Sequence, residues 1–423
     1  MTATDIRKTI EAVWHMESAK LIAVLARMLR DVGLAEELAQ DALVTALEQW
    51  PERGVPDNPG AWLMATAKHR AIDRLRRQQL LQRKHEELGY EIEVGQEADR
   101  GVELDAAIDD DIGDDLLRLI FVACHPVLSQ EARVALTLRL LGGLTTDEIA
   151  RAFLVPEPTI AQRIVRAKRT LADKQVPFEV PRADELAARL SSVLEVIYLV
   201  FNEGYAATAG DDWTRPALCE DALRLGRVLA ELMPEQAEVH GLVALMEIQA
   251  SRLRARIGPG GEPILLLKQN RGAWDRLLIR RGLAALARAE KLGGVHGPYA
   301  LQAAIAACHA RAPAAEDTDW PRIAALYAQL AALMPSPVVE LNRAVAVSMA
   351  FGPQAGLAIV DAIRAEPTLA SYHLLPSVRG DLLEKLGRGG EARAEFERAA
   401  ALARNARERE LLLDRAAGCE RVA

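Results

Sequence analysis

From Ile6 to Leu81 apolar side chains recur at three- and four-residue intervals, the spacing that lines one face of a helix. The one strong break is 51–60, where three prolines and two glycines predict a loop. Before it, Asp31 to Trp50 directs Leu38, Ala42, Ala46, Leu47 and Trp50 toward a core and leaves Glu37, Gln40, Asp41 and Glu48 on an acidic, polar outer face. After it, Ala61 to Lys84 predicts a basic helix, with Lys68, Arg70, Arg74, Arg76, Arg77, Arg83 and Lys84 against one acid, Asp73. Over 85–115 the apolar period lapses and thirteen acids face one arginine, which predicts a solvated linker between two modules. Periodicity returns at Leu116 and runs to about Asp173, and Pro177 with Pro181 marks a second boundary.

The sharpest local signal lies at Thr145 to Leu171, which reads as two short helices joined by a tight turn at Leu154 to Pro156. Thr145 and Glu148 have capping-box spacing, and Ile149, Ala150 and Phe153 supply the apolar side of the first helix. The second helix repeats Ile160, Ile164, Ala167 and Leu171 at intervals of four, three and four. Its opposite side carries Thr159, Gln162, Arg163, Arg166 and Arg169, whose hydroxyl, amide and guanidinium groups suit phosphates and base edges in a major groove. A basic helix over an apolar stripe is often only a solvated face, but the capped partner helix and the earlier basic helix favour a helix-turn-helix.

The remaining 240 or so residues contain an internal echo, LAELMP at 229–234 and LAALMP at 330–335. Apolar pairs four apart, Ile323/Tyr327, Ala355/Ile359 and Ala392/Phe396, recur at offsets of 32 and 37 residues, bracketing the 34-residue period of a tetratricopeptide repeat. About three helical hairpins are expected over 320–417, the alternative being an irregular bundle.

Composition narrows the class. Half of the 423 residues are apolar, aromatics are only 4%, and 60 acids exceed 52 Lys and Arg, a formal net charge of −8. Such a chain is long enough for more than one domain and favours helices packed through aliphatic side chains, so an all-α protein is expected. Any nucleic-acid surface must be local. Cys124, Cys219, Cys308 and Cys419 lie too far apart for a disulfide framework or zinc knuckle, and buried reduced thiols are expected. The adjacent pairs Cys124-His125 and Cys308-His309 point about 100° apart on a helix, so no metal is expected. No leader or bilayer-length apolar run is apparent, which predicts a cytoplasmic protein without a membrane anchor. With no P-loop, dinucleotide fingerprint, HExxH or G-x-S-x-G, neither cofactor nor enzyme activity is expected. Asn202, Glu203, Tyr205 and KQNRGAWD (268–275) set polar groups between apolar helices, either closing helix ends or lining a ligand pocket.

AWLMATAKHRAIDRLRR (61–77) and PTIAQRIVRAKRTL (158–171), in this order across an acidic linker, resemble the two signature helices of extracytoplasmic-function (ECF) sigma factors of bacterial RNA polymerase. IYLVFNEGY (197–205), GPYALQAAIAACHA (297–310) and PSPVVELNRAVAV (335–347) are similar to the subgroup with a long tetratricopeptide-like C-terminal domain. The resemblance implies a sigma-2 domain at 1–85, an acidic linker at 86–114, a sigma-4 domain at 115–175 and a helical extension over 176–423. By the same resemblance, Glu37, Gln40 and Asp41 would dock on the β′ clamp helices of core polymerase. Asn58, His69, Asp73, Arg74, Arg76 and Arg77 would take the minus-ten element as an unstacked single strand. Thr159, Gln162, Arg163, Arg166 and Arg169 would read the minus-thirty-five duplex beside the β flap. His69 stands where many members have Asn, and Pro158 where a small residue is common, so neither promoter element is legible. The extension would control activity through a regulatory protein or an intramolecular contact. The competing reading is a ligand-sensing helix-turn-helix regulator that dimerises on a palindrome.

Overall fold

The computed structural model describes residues 3–87, 112–153, 155–208 and 210–419. The chain divides into two compact units, 1–196 and 197–423. Among the described residues all regular structure is helical and only two isolated β-bridges occur.

The first unit opens with three helices, α1 (Ala3–Leu29), α2 (Val32–Arg53) and α3 (Pro59–Glu87), each packed against the other two. Asp31 caps α2 by accepting the Leu34 N–H at 3.0 Å, after a turn made by Arg30 at φ +53°. Leu38, Ala42, Ala46 and Trp50 are buried as expected, but Leu47 is 39% exposed, because the apolar stripe of α2 is narrower than the sequence suggests. The predicted loop also shrinks. Pro51 sits within the last turn of α2, whose end is set by Gly54 at φ +86° with its N–H bonded to Trp50 O. A proline there costs only one backbone bond of a helix already ending.

Next come α4 (Ile112–Ala123), α5 (Gln130–Leu140), α6 (Thr146–Phe153) and α7 (Glu157–Asp173). The acidic stretch lies largely outside the described residues, and its last member departs from the expected solvated linker. Asp115 is fully buried, paired with Arg27 of α1 at 3.1 Å and Arg118 at 2.7 Å. Helix α4 packs along α1, so the two halves of this unit are in contact.

Helix α8 (Ala183–Tyr205) leads to the second unit, where α9 (Pro216–Leu232), α10 (Ala237–Ala250), α11 (Arg276–Lys291) and α12 (Pro298–Arg311) surround a core centred on α10. Almost every side of α10 is buried, and Gly241 lets it approach α12 so closely that an added Cβ would meet Ala300 N at 2.7 Å. Six helices follow, each packed against the next: α13 (Trp320–Leu333), α14 (Pro337–Phe351), α15 (Pro353–Ile363), α16 (Leu374–Lys385), α17 (Gly389–Leu402) and α18 (Ala406–Gly418). They occupy the span where about three hairpins were expected. The internal echo is structural too, since Met233 and Met334 cap α9 and α13 alike, each N–H bonding the leucine four residues earlier at 2.8 Å. One expected pair is out of phase: α15 buries Gly356, Leu357 and Val360, leaving Ala355 and Ile359 only half-buried. All four cysteines are free and buried, and burial pushes the Cys124 thiol up to about 11 and that of Cys219 to about 12.

Candidate nucleic-acid interface

The two predicted halves of the helix-turn-helix are α6 and α7. Thr145 N–H donates to Glu148 Oε2 at 2.7 Å and Glu148 N–H to Thr145 Oγ1 at 3.2 Å, a closed capping box. Pro156 is the N-cap of α7, Pro158 lies in its first turn, and Leu154 falls outside the described residues. Ile160, Ile164, Ala167 and Leu171 are all buried. Burying that stripe leaves Gln162, Arg166 and Arg169 exposed and Thr159 and Arg163 half-buried on the outward side. Arg169 meets only Asp173, at 3.6 Å between two exposed side chains, a pairing water and salt readily replace.

The minus-ten candidates gather around the start of α3. Asn58 Oδ1 accepts the Ala61 N–H at 3.1 Å, so its carbonyl fixes the helix start while its amide remains outward. A groove of about 680 Å³ runs between α1 and α3, lined by Met16, Glu17, Lys20, Asn58, Met64, Lys68, His69 and Ile72. His69, Asp73, Arg74, Arg76 and Arg77 are exposed along the same helix. The structure thus brings Asn58 and His69 to one groove and leaves the arginines beyond it. Trp62 is half-buried and sits edge-on to Trp50 with ring centres 5.4 Å apart.

The three polymerase-contact candidates on α2 differ in environment. Glu37 is exposed. Asp41 pairs with Arg70 of α3 at 3.2 Å, and Arg70 also donates to Thr45 Oγ1 at 2.7 Å. Gln40 donates to Glu36, a residue that sequence reasoning missed. Glu36 is buried, and its carboxylate holds Arg139 of α5 at 2.6 Å and Lys168 of α7. Thus one carboxylate on the first three-helix module binds a cation from each of two helices of the second. Its only sequence signal is its place on the apolar face between Ala35, Leu38 and Ala39.

These surfaces define a nucleic-acid-binding protein of the helix-turn-helix class. Residues 15–80 match the family described as Sigma-70 region 2, residues 118–171 match Sigma-70, region 4, and residues 189–290 match a family of unknown function, DUF6596. Over 388 residues the chain is 45% identical to the uncharacterized protein R00370 of Rhizobium meliloti (strain 1021), covering 92% of this chain and 90% of that one. It is 30% identical over 156 residues to the ECF RNA polymerase sigma factor SigK of Mycobacterium ulcerans (strain Agy99), covering 36% of this chain and 78% of the relative. With SigK of Mycobacterium bovis (strain BCG / Pasteur 1173P2) the identity is 31% over 161 residues, 37% of this chain and 80% of the relative. No solved structure matches. The chain belongs to the ECF RNA polymerase sigma factors and is an alternative sigma factor, directing transcription initiation, with a long helical C-terminal extension. Sigma factors as a family are transcription factors rather than enzymes. Among the described residues no helix is long and apolar enough to cross a membrane, and no group of three or more His, Cys, Asp or Glu is arranged to hold a metal ion.

Proposed function

We propose that this sigma factor docks on the β′ clamp helices of core RNA polymerase through Glu37, Gln40 and Asp41. The Thr159, Gln162, Arg163, Arg166 and Arg169 face of α7 then reads the minus-thirty-five duplex beside the β flap. Asn58, His69, Asp73, Arg74, Arg76 and Arg77 capture the minus-ten strand. The groove at Asn58 and His69, continued by exposed arginines, carries this reading: it offers an enclosure for an unstacked base followed by cations for its phosphates. No catalytic step is assigned to the chain. Its mechanism is binding energy, with promoter opening driven by contacts that only the separated strand makes.

The pairs around Glu36 support a second element of the mechanism, a closed resting state. With Gln40 turned toward Glu36 and Lys168 of the recognition helix held on the same carboxylate, docking on polymerase and reading the promoter both begin from a chain that must first open. The helix pairs α13 to α18 support an extension of tetratricopeptide-like hairpins that regulates this opening through a protein segment.

Binding of the full chain to purified core polymerase tests the reading. Asp41→Lys is expected to weaken binding at least tenfold, whereas Arg70→Gln, which removes the pair with Asp41 and the bond to Thr45 but keeps the Asp41 carboxylate, leaves it within about twofold. Dimeric binding to a palindromic duplex with no affinity for core polymerase would overturn it in favour of the conventional regulator.

A further inference from the structure

The second unit buries an unusual excess of positive charge. Arg252 and Arg271 are buried and Arg256 half-buried, and among the described residues none of the three is ion-paired with a carboxylate. Arg271 is satisfied at both Nη atoms, although its Nε has no partner among the described residues. Its Nη1 donates to His309 O at 2.7 Å and Ala312 O at 2.8 Å and its Nη2 to Thr318 Oγ1 at 2.9 Å, which pins the end of α12. Arg252 and Arg256 are not. Among the described residues Arg252 donates to Gln249 alone, no side-chain hydrogen bond holds the Arg256 guanidinium, and the buried Nε atoms of both have no partner.

What surrounds them is aromatic. The guanidinium carbons of Arg252 and Arg256 lie 5.8 and 3.7 Å from the centre of the Tyr205 ring, Arg252 also lies 5.7 Å from Trp274, and Arg256 lies 5.6 Å from Trp213. Cation–π contacts of this kind offset only part of the desolvation of a guanidinium, and they leave its in-plane donors unused. Other unused donors share the place, since Tyr205 OH and Trp274 Nε1 are buried without a partner among the described residues. Water alone would not neutralise the two charges. An oxyanion would, by accepting from the planar forks while the rings hold their faces. Burial and the Arg252 and Arg271 charges together press the nearby His309 imidazole down to about 3, so the histidine adds no further cation and the local field is set by the arginines.

We propose that Arg252 and Arg256, with Tyr205 OH and Trp274 Nε1, form a binding site for the oxyanion group of a small phosphorylated or carboxylated ligand, which places a chemical sensor in the extension. The site gives the polar residues around Tyr205 and the KQNRGAWD segment a use beyond helix capping, although Asn270 and Asp275 of that segment do cap helices. It stands whether or not the assignments at polymerase and promoter hold.

The test is equilibrium dialysis and thermal unfolding of the full chain with orthophosphate and with malonate, each against potassium chloride at equal ionic strength. Saturable binding of one oxyanion per chain is expected, with the midpoint of unfolding of the extension rising by about 5 °C at a hundredfold excess over Kd. Selectivity for orthophosphate assigns a phosphorylated ligand and selectivity for malonate a carboxylated one. Arg256→Gln, at a half-exposed position where folding is least at risk, weakens binding at least tenfold, and Arg252→Gln does the same. Arg166→Gln on the recognition helix leaves it unchanged, which separates the site from phosphate bound on the DNA-reading face. The proposal is overturned if neither oxyanion exceeds chloride, or if binding survives Arg256→Gln undiminished.

Discussion

At the scale of single residues, burial decides which charges matter, and His309 shows the consequence for pH. Its imidazole is edge-on to Trp320 with ring centres 5.2 Å apart, and burial followed by the Arg252 and Arg271 charges lowers its pKa from 6.5 to about 3. Between those values the unfolded chain binds a proton that the folded chain refuses, so stability falls as pH drops through 6.5 and stops falling for this reason near 3. By pH 5 the loss is about 2 kcal/mol. Denaturant titrations in phosphate- and carboxylate-free buffer at pH 7 and pH 5 measure it, and His309→Gln should remove that share of the difference between the two pH values. The histidine is in the sequence, but its environment is not. Arg252 and Arg271 come from segments 57 and 38 residues away, and a lone His beside Cys308 carries no signal of two guanidinium neighbours. Surface residues were more legible. Gln162, Arg166 and Arg169 follow directly from the four, three, four spacing of the apolar residues they oppose, because a helix fixes both faces at once.

At the scale of elements, apolar periodicity and one capping box made the helices of the first unit readable. The Thr145–Glu148 box closes at the spacing that predicted it, whereas the Asp31 cap and the helix ends at Met233 and Met334 became visible only in the structure. Pro51 misled because proline was weighed as a breaker, whereas in a terminal turn it costs little. Ala355 misled because alanine fits either side of a helix, so one such position cannot fix the phase of α15. Close helix approach is equally hidden, and Gly241 is the case to test. Alanine is the better helix former by about 1 kcal/mol, so an unpacked site would gain from Gly241→Ala. Here the new Cβ meets backbone, Ala300 N at 2.7 Å and Ala300 Cα at 3.1 Å, which cannot rotate away as a flexible side chain would. Forced separation of α10 from α12 is expected to outweigh the propensity gain, for a net loss of about 2 kcal/mol in thermal or chemical unfolding. A neutral or stabilising result would mean the two helices move apart freely.

At the scale of the whole molecule, the proposed promoter contacts place a geometric demand on the sigma regions. Promoter elements at minus ten and minus thirty-five are separated by about 25 base pairs, roughly 85 Å of B-form duplex. Yet Lys168, on the helix proposed to read one element, touches Glu36, about one turn into the helix preceding the groove proposed for the other. Sequence could not reveal this contact, because Arg139 and Lys168 lie more than a hundred residues beyond Glu36 and helical periodicity reports only that a face is covered. The proposed opening would break two ion pairs to a buried carboxylate and uncover the α1 surface under α4. Both cations keep some access to water, at 19% and 24% side-chain exposure, so losing one pair should weaken the closed form by about 2 kcal/mol rather than the larger cost of a fully buried pair. If only the open form binds polymerase, its apparent affinity scales with the fraction open, and 2 kcal/mol is about thirtyfold. Lys168→Met is the discriminating variant, since it leaves α2 and the proposed polymerase contacts untouched. Full-length Lys168→Met should bind core polymerase up to thirtyfold more tightly than the natural chain, with Glu36→Gln giving a gain in the same direction. Adding both changes should give little more than either alone, because each removes the same attraction. Unchanged affinity in Lys168→Met would mean that the Glu36 contact does not compete with polymerase, and that control of opening lies elsewhere in the chain.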